Sequence, residues 1–147
     1  MNSNATATST APIQVKCIDH VTLIVDDLEK SRQFYCGLLG MQQIERPGFS
    51  FAGSWFQAGG TQIHLILKHD QSGPVGENRA DQQKSSRNRH FAFEVADGHQ
   101  AAKLLGERGI PFLAGPKTRP DGAVQLFIND PDGYVVELTS LPNGTET

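Results

Sequence analysis

One strand pattern, carrying an ionisable residue on its polar side, occurs four times along the chain and constrains the fold more than any other feature. In Asp19-His20-Val21-Thr22-Leu23-Ile24-Val25, the positions Val21, Leu23 and Val25 form an apolar face, and His20 and Thr22 lie opposite. Thr61-Gln62-Ile63-His64-Leu65-Ile66-Leu67 sets Ile63, Leu65 and Leu67 against His64. Arg89-His90-Phe91-Ala92-Phe93-Glu94-Val95 sets Phe91, Phe93 and Val95 against His90, Ala92 and Glu94. Tyr134-Val135-Val136-Glu137-Leu138-Thr139 sets Tyr134, Val136 and Leu138 against Glu137 and Thr139. Successive side chains of a strand point to opposite faces, so all four ionisable residues leave the core-packing side and can converge on a second face. Three imidazoles and a carboxylate suit Zn, Ni, Fe or Mn. A single strand histidine is more often a satisfied core or rim residue; four at matching positions point to a metal site.

The four positions are related by a repeat. His90 follows His20 by 70 positions and Glu137 follows His64 by 73. Between them the first half reads β-α-β-β-β. A strand over 15–25 is followed by a helix with Asp26 as N-cap and Glu29 as capping-box partner. That helix buries Leu28, Ser31, Phe34, Tyr35, Leu38 and Leu39 and ends at Gly40. Strands are expected over 41–46, 48–57 and 61–68, with turns at Pro47-Gly48 and Gly59-Gly60. The second half repeats this: a strand over 90–96, a helix capped by Asp97 and stopped by Gly109-Ile110-Pro111, then strands over 111–114, 123–129 and 134–140. A β-α-β-β-β unit cannot close its sheet alone, so two units pair around one core. The expected class is α+β. A curved mixed sheet would carry His20, His64, His90 and Glu137 on its concave side. The boundaries are a disordered tail at 1–14, one domain at 15–141 (first module 15–68, linker 69–88, second module 89–141) and a tail at 142–147.

A chain of 147 residues that is 37% hydrophobic before its 15 Gly are added has the makings of one globular domain. Its net charge of −3, without a basic block, argues against nucleic acid or an anionic membrane as partner. No apolar run approaches the roughly 20 residues of a membrane span, and the Ser/Thr/Asn-rich start is not a secretory signal. Cys17 and Cys36 lack metal or redox spacing and read as free thiols in a reducing cytoplasm. In the linker and at its end, Arg79, Lys84, Arg87 and Arg89 border an anionic substrate or form a solvated polar loop. His69 and His99 fall off the repeat and are expected at the surface. Phe49, Phe51, Trp55 and Phe56 line either the cavity or the core.

These residues resemble the vicinal oxygen chelate superfamily, the glyoxalase, bleomycin-resistance and extradiol-dioxygenase group. The resemblance is carried by Ile18-Asp19-His20-Val21-Thr22-Leu23, Asp26-Asp27-Leu28, Phe34-Tyr35 and Leu38-Leu39-Gly40-Met41. In the second half it rests on Arg89 to Val95 and on Asn129-Asp130-Pro131-Asp132-Gly133-Tyr134-Val135-Val136-Glu137-Leu138. It spans about residues 15 to 140 and implies two βαβββ modules enclosing a divalent metal in a U-shaped cavity. Position by position, it implies His20 and His64 as metal ligands from the first module and His90 and Glu137 from the second. His64 departs from glyoxalase I, which typically has Glu there, and from methylmalonyl-CoA epimerases, which typically have Gln. A histidine at this position could ligate the metal or shuttle a proton.

The resemblance implies first an enzyme of the glyoxalase type, similar to lactoylglutathione lyase. A divalent metal (Zn, Ni, Mn or Fe(II)) would bind vicinal oxygens of a hemithioacetal and stabilise an enediolate while Glu137 moves a proton. Glutathione or another thiol would be the co-substrate, and His64 a second catalytic candidate. An Fe(II) extradiol-type dioxygenase using His20, His90 and Glu137 remains open, although such enzymes usually carry two such domains. A fosfomycin-directed thiol transferase fits less well, because Leu138 to Asn143 lacks the basic residues that hold a phosphonate. A non-catalytic small-molecule binding or resistance protein is the third class, and its members typically lack the ligand set present here. A homodimer is expected from the resemblance.

Overall fold

The computed structural model describes residues 10–76 and 87–142, so parts of the expected tails and linker, Arg79 and Lys84 among them, lie outside the described residues. The order is β1 (His20–Val25), α1 (Leu28–Arg32) running on as a π-helical stretch Gln33–Leu38, β2 (Gln42–Ile44), β3 (Gly53–Ala58) and β4 (Thr61–Leu67). The second half supplies β5 (Phe91–Glu94), α2 (Gly98–Glu107), β6 (Ala114–Thr118), β7 (Val124–Asn129) and β8 (Val135–Ser140). Two β-α-β-β-β modules therefore follow one another. Each builds a four-stranded mixed sheet, in the orders β1-β4-β3-β2 and β5-β8-β7-β6. In each sheet the first and last strands of the module run parallel, and the other neighbours are antiparallel.

The alternation seen in the sequence decides which side of each sheet is buried. Leu23, Val25, Ile63, Leu65 and Phe56 of the first sheet are buried, as are Leu126, Ile128, Val136 and Leu138 of the second. Together with Phe34, Tyr35, Ala102 and Leu105 from the helical segments they form one core. Each fully buried Leu or Phe contributes roughly 1.5–3 kcal/mol. Polar groups tie the modules together. The Tyr35 hydroxyl donates to Asp130 Oδ2 at 2.6 Å. The Tyr134 hydroxyl donates to Ile24 O at 2.8 Å and accepts from Ile24 N at 3.2 Å and Gly76 N at 3.0 Å. That hydroxyl satisfies backbone groups on the edge strand β1.

Several boundaries differ from expectation, each for a local reason. The first helix is capped by Asp27 rather than Asp26. Asp27 has extended backbone, and its carboxylate accepts from Glu29 N and Lys30 N, whereas Asp26 N donates to Asp132 Oδ1. Glu29 turns to Arg32 instead of closing a capping box. The first strand begins at His20, not at 15. Ile13, Val15 and Ile18 supply apolar side chains there but are 78%, 85% and 79% exposed, and among the described residues no strand pairs with them. The expected strand over 48–57 starts only at Gly53, because Arg46 Nη2 donates to Phe51 O and holds 47–52 as a loop. The strand expected over 111–114 lies instead at Ala114–Thr118, with a register shift against β7 between Ala114 and Lys117.

Candidate metal centre

On the first sheet, the parallel register sets Thr22 beside His64 and His20 beside Gln62, so His20 and His64 share the face away from the core. Their rings stack with centroids 3.9 Å apart and planes 14° from parallel. Trp55 is the direct antiparallel partner of His64 on β3, and its ring lies on the other side of the imidazole at 3.8 Å and 3°. The three rings form a slab with His64 in the middle. His64 is buried, and burial, followed by the nearby His20, lowers the pKa of its ring below the usual histidine value.

On the second sheet, Ala92 pairs with Glu137. His90 lies two residues before Ala92 and therefore on the same face. His90 Nε2 and Glu137 Oε1 are 4.0 Å apart. Glu137 is buried, and Gln125 Nε2 donates to its Oε1 at 2.7 Å. Phe127, directly opposite Glu137 on β7, meets the His90 ring edge-on at 5.2 Å. A neutral amide offsets only part of the cost of burying a carboxylate, which leaves Glu137 suited to a cationic partner.

Hydrogen bonds select which imidazole nitrogens remain available. A carboxylate or carbonyl oxygen can only accept, so the ring nitrogen facing it carries the proton. His20 Nδ1 faces Asp19 Oδ2 at 2.8 Å, and His90 Nδ1 faces the Asn88 carbonyl oxygen at 2.6 Å. Both therefore present Nε2 as the lone-pair nitrogen, the arrangement that orients histidine ligands in metal proteins. His64 Nε2 is engaged by Gln62 Oε1 at 2.8 Å, leaving Nδ1. By the chemistry of this donor set, a divalent ion fits.

The structure brings the four residues together as two pairs, one per sheet, and not as one cluster. Among the described residues no three His, Cys, Asp or Glu side chains are close enough to hold a metal together. His69 and His99 are exposed, as expected. Cys17 and Cys36 are free thiols. Of the aromatic candidates, Phe56 belongs to the core, whereas Trp55, Phe49 and Phe51 lie beside His64. Gln62 and Gln125 escaped notice in the sequence, although each occupies an off-core position of its strand. Arg87 and Arg89 are exposed. No described helix is long and apolar enough to cross a membrane.

Comparison with known proteins gives the same fold. Residues 17–138 match the family model described as the glyoxalase/bleomycin resistance protein/dioxygenase superfamily. A protein named Glyoxylase I 4 from Arabidopsis thaliana is 28% identical over 138 residues, covering 89% of this chain and 76% of its own. A lactoylglutathione lyase from Neisseria meningitidis serogroup B is 28% identical over 137 residues, with 87% and 93% covered. Among solved structures, a glyoxalase/dioxygenase from Nostoc punctiforme superposes with a TM-score of 0.72 at 26% identity, covering 93% of this chain and 99% of that one. With its paired βαβββ modules and a match running from Cys17 to Leu138, the chain belongs to the glyoxalase/bleomycin resistance protein/dioxygenase superfamily.

Proposed function

We propose that the protein is a divalent-metal-dependent enzyme of the glyoxalase type, acting on the thiol adduct of a small dicarbonyl compound. The observation that carries this reading is the pairing of His20 with His64 and of His90 with Glu137 on equivalent faces of two equivalent sheets. These four residues would hold the metal. As each pair is only half of a ligand set, a second copy of the chain would complete the centre. The edge strands β1 and β5 and the exposed apolar segment before β1 support such an association.

When bound, a divalent ion supplies Lewis acidity toward neighbouring substrate oxygens and eases removal of a proton from the adjacent carbon. Glu137 would take up that proton and return it to the next carbon. Gln125 holds Oε1, which leaves Oε2 for the transfer. The apolar neighbours Phe127 and Trp55 would limit water at the reacting atoms. Glutathione or another small thiol would form the adduct. The free thiols Cys17 and Cys36 suit a reducing cytoplasm.

One observation favours a second reading. His64 is clamped between two rings, with Nε2 tied to Gln62. A site using only His20, His90 and Glu137 would be a two-histidine, one-carboxylate set suited to Fe(II) and an extradiol-type dioxygenase. Reloading the metal-free protein with Ni, Zn, Mn or Fe(II) and assaying methylglyoxal with glutathione separates the two. Isomerisation of the adduct supports the first reading. Activity confined to Fe(II), with a catechol and oxygen consumption, would replace it with the second.

A further inference from the structure

Beside the His20–His64 pair lies a cleft of about 110 Å³ bordered by Thr22, Arg46, Phe49, Phe51, Trp55 and His64. Its walls are flat. Phe49 and Phe51 stack with centroids 5.2 Å apart, and Phe49 meets Trp55 at 6.3 Å. The guanidinium of Arg46 lies 4.8 Å from the Phe49 centroid and 4.9 Å from that of Phe51, and its Nη2 donates to Phe51 O. Gly53 underlies this arrangement, because a Cβ there would come within 2.2 Å of the Leu65 carbonyl oxygen and 2.9 Å of Arg46 Nε. The aromatic loop is thus pinned against the sheet.

We infer that this cleft takes an aromatic ring of the substrate, making the preferred substrate an aryl-substituted vicinal-oxygen compound rather than an alkyl one. The inference rests on the glyoxalase-type reading for the position of the reacting oxygens, which His64, shared by cleft and centre, brings within one small molecule's length. Three features select the guest. The volume is of the order of the apolar cavities, about 150 Å³, that admit one benzene. Offset and edge-on contacts with Phe49, Phe51 and Trp55 reward a ring over a methyl group. The Arg46 charge already over both phenylalanine faces disfavours a cation, which excludes the quaternary ammonium guests that aromatic cages otherwise take.

Mandelate and lactate test this, since they carry the same vicinal oxygens and differ only in phenyl against methyl. Binding to the full chain is followed by the fluorescence of Trp55, the only tryptophan in the sequence, and by calorimetry, with metal loaded and after chelation. Mandelate is expected to bind about tenfold tighter than lactate in both states. That ratio should fall to within about twofold in Phe49→Ala and Phe51→Ala, while Phe112→Ala, an exposed phenylalanine of the second module, leaves it unchanged. Equal affinities in the wild type, or a ratio untouched in both cleft variants, would overturn the aromatic assignment. The metal reading fails separately: there, chelation would weaken neither ligand, whatever their ratio.

Discussion

Trp55 and His64 lie face to face across the β3–β4 ladder, ring centroids 3.8 Å apart and planes within 3°. This contact fixes the imidazole that departs from the usual glyoxalase residue. It gives the departure a physical consequence. Trp55→Ala should leave the fold intact, because Trp55 faces away from the core. It should weaken metal binding by about 10–100-fold, the usual effect of losing a group that orients a ligand. Competition with a chromophoric chelator measures the affinity, and a thermal melt checks the fold.

Gln125 stands in the same relation to Glu137. Gln125→Leu removes the donor at 2.7 Å and leaves a buried carboxylate with one fewer partner. The expected result is a fall in kcat of about 10–100-fold, with Gln125→Asn no substitute because its amide is one methylene shorter. Unchanged kcat in Gln125→Leu would show that the hydrogen bond plays no part in holding Glu137.

A centre shared between two copies makes a prediction by mixing. His20→Ala and Glu137→Gln should each be inactive as pure proteins. Refolded together, they should recover activity, since in a mixed dimer one centre takes its first-module pair from the Glu137→Gln chain and its second-module pair from the His20→Ala chain. Recovery approaching about a quarter of wild type is expected from random pairing of two inactive variants. No recovery, with mixed dimers demonstrated by size and mass, would place each centre within one chain.

Asp130 gives stability a pH dependence. Burial raises its pKa from the ordinary aspartate value of 3.8 to about 6, against hydrogen bonds from Tyr35, Tyr134 and Asp132 that lower it. In the folded state it therefore holds its proton between about pH 4 and 6, where the unfolded chain has lost it. Its contribution is fully present below the unfolded value and is lost as pH rises through about 6. The loss is roughly 3 kcal/mol by linkage. Urea denaturation at pH 4 and pH 7 should show this difference between wild type and Asp130→Asn, whose side chain does not titrate. Parallel pH profiles for the two proteins would contradict it.

Much of this architecture is legible in the chain because strand alternation and helix spacing act locally. The off-core positions of His20, His64, His90 and Glu137 follow from a period of two, and the ends of the two helical segments from Gly40 and Gly109, both at positive φ. What the sequence does not disclose depends on contacts between distant segments. Asp27 rather than Asp26 caps the first helix, while Asp26 N donates to Asp132 Oδ1, more than a hundred residues away. The loop at 47–52 displaces half of an expected strand because Arg46 reaches back to Phe51 O. The stretch before His20 carries the β-branched residues Ile13, Val15 and Ile18 but has no partner strand among the described residues, so propensity there does not become structure. The grouping of the four residues into two pairs is likewise a tertiary matter, which no spacing within one strand encodes.

The most direct test is the metal content of the purified chain, wild type beside His90→Ala and Glu137→Gln, after reloading with Ni, Zn, Mn or Fe(II). A centre built from His20, His64, His90 and Glu137 predicts about one ion per chain in the wild type and loss of most of it in both variants. Full occupancy in both variants, or none in the wild type under any loading, would contradict it.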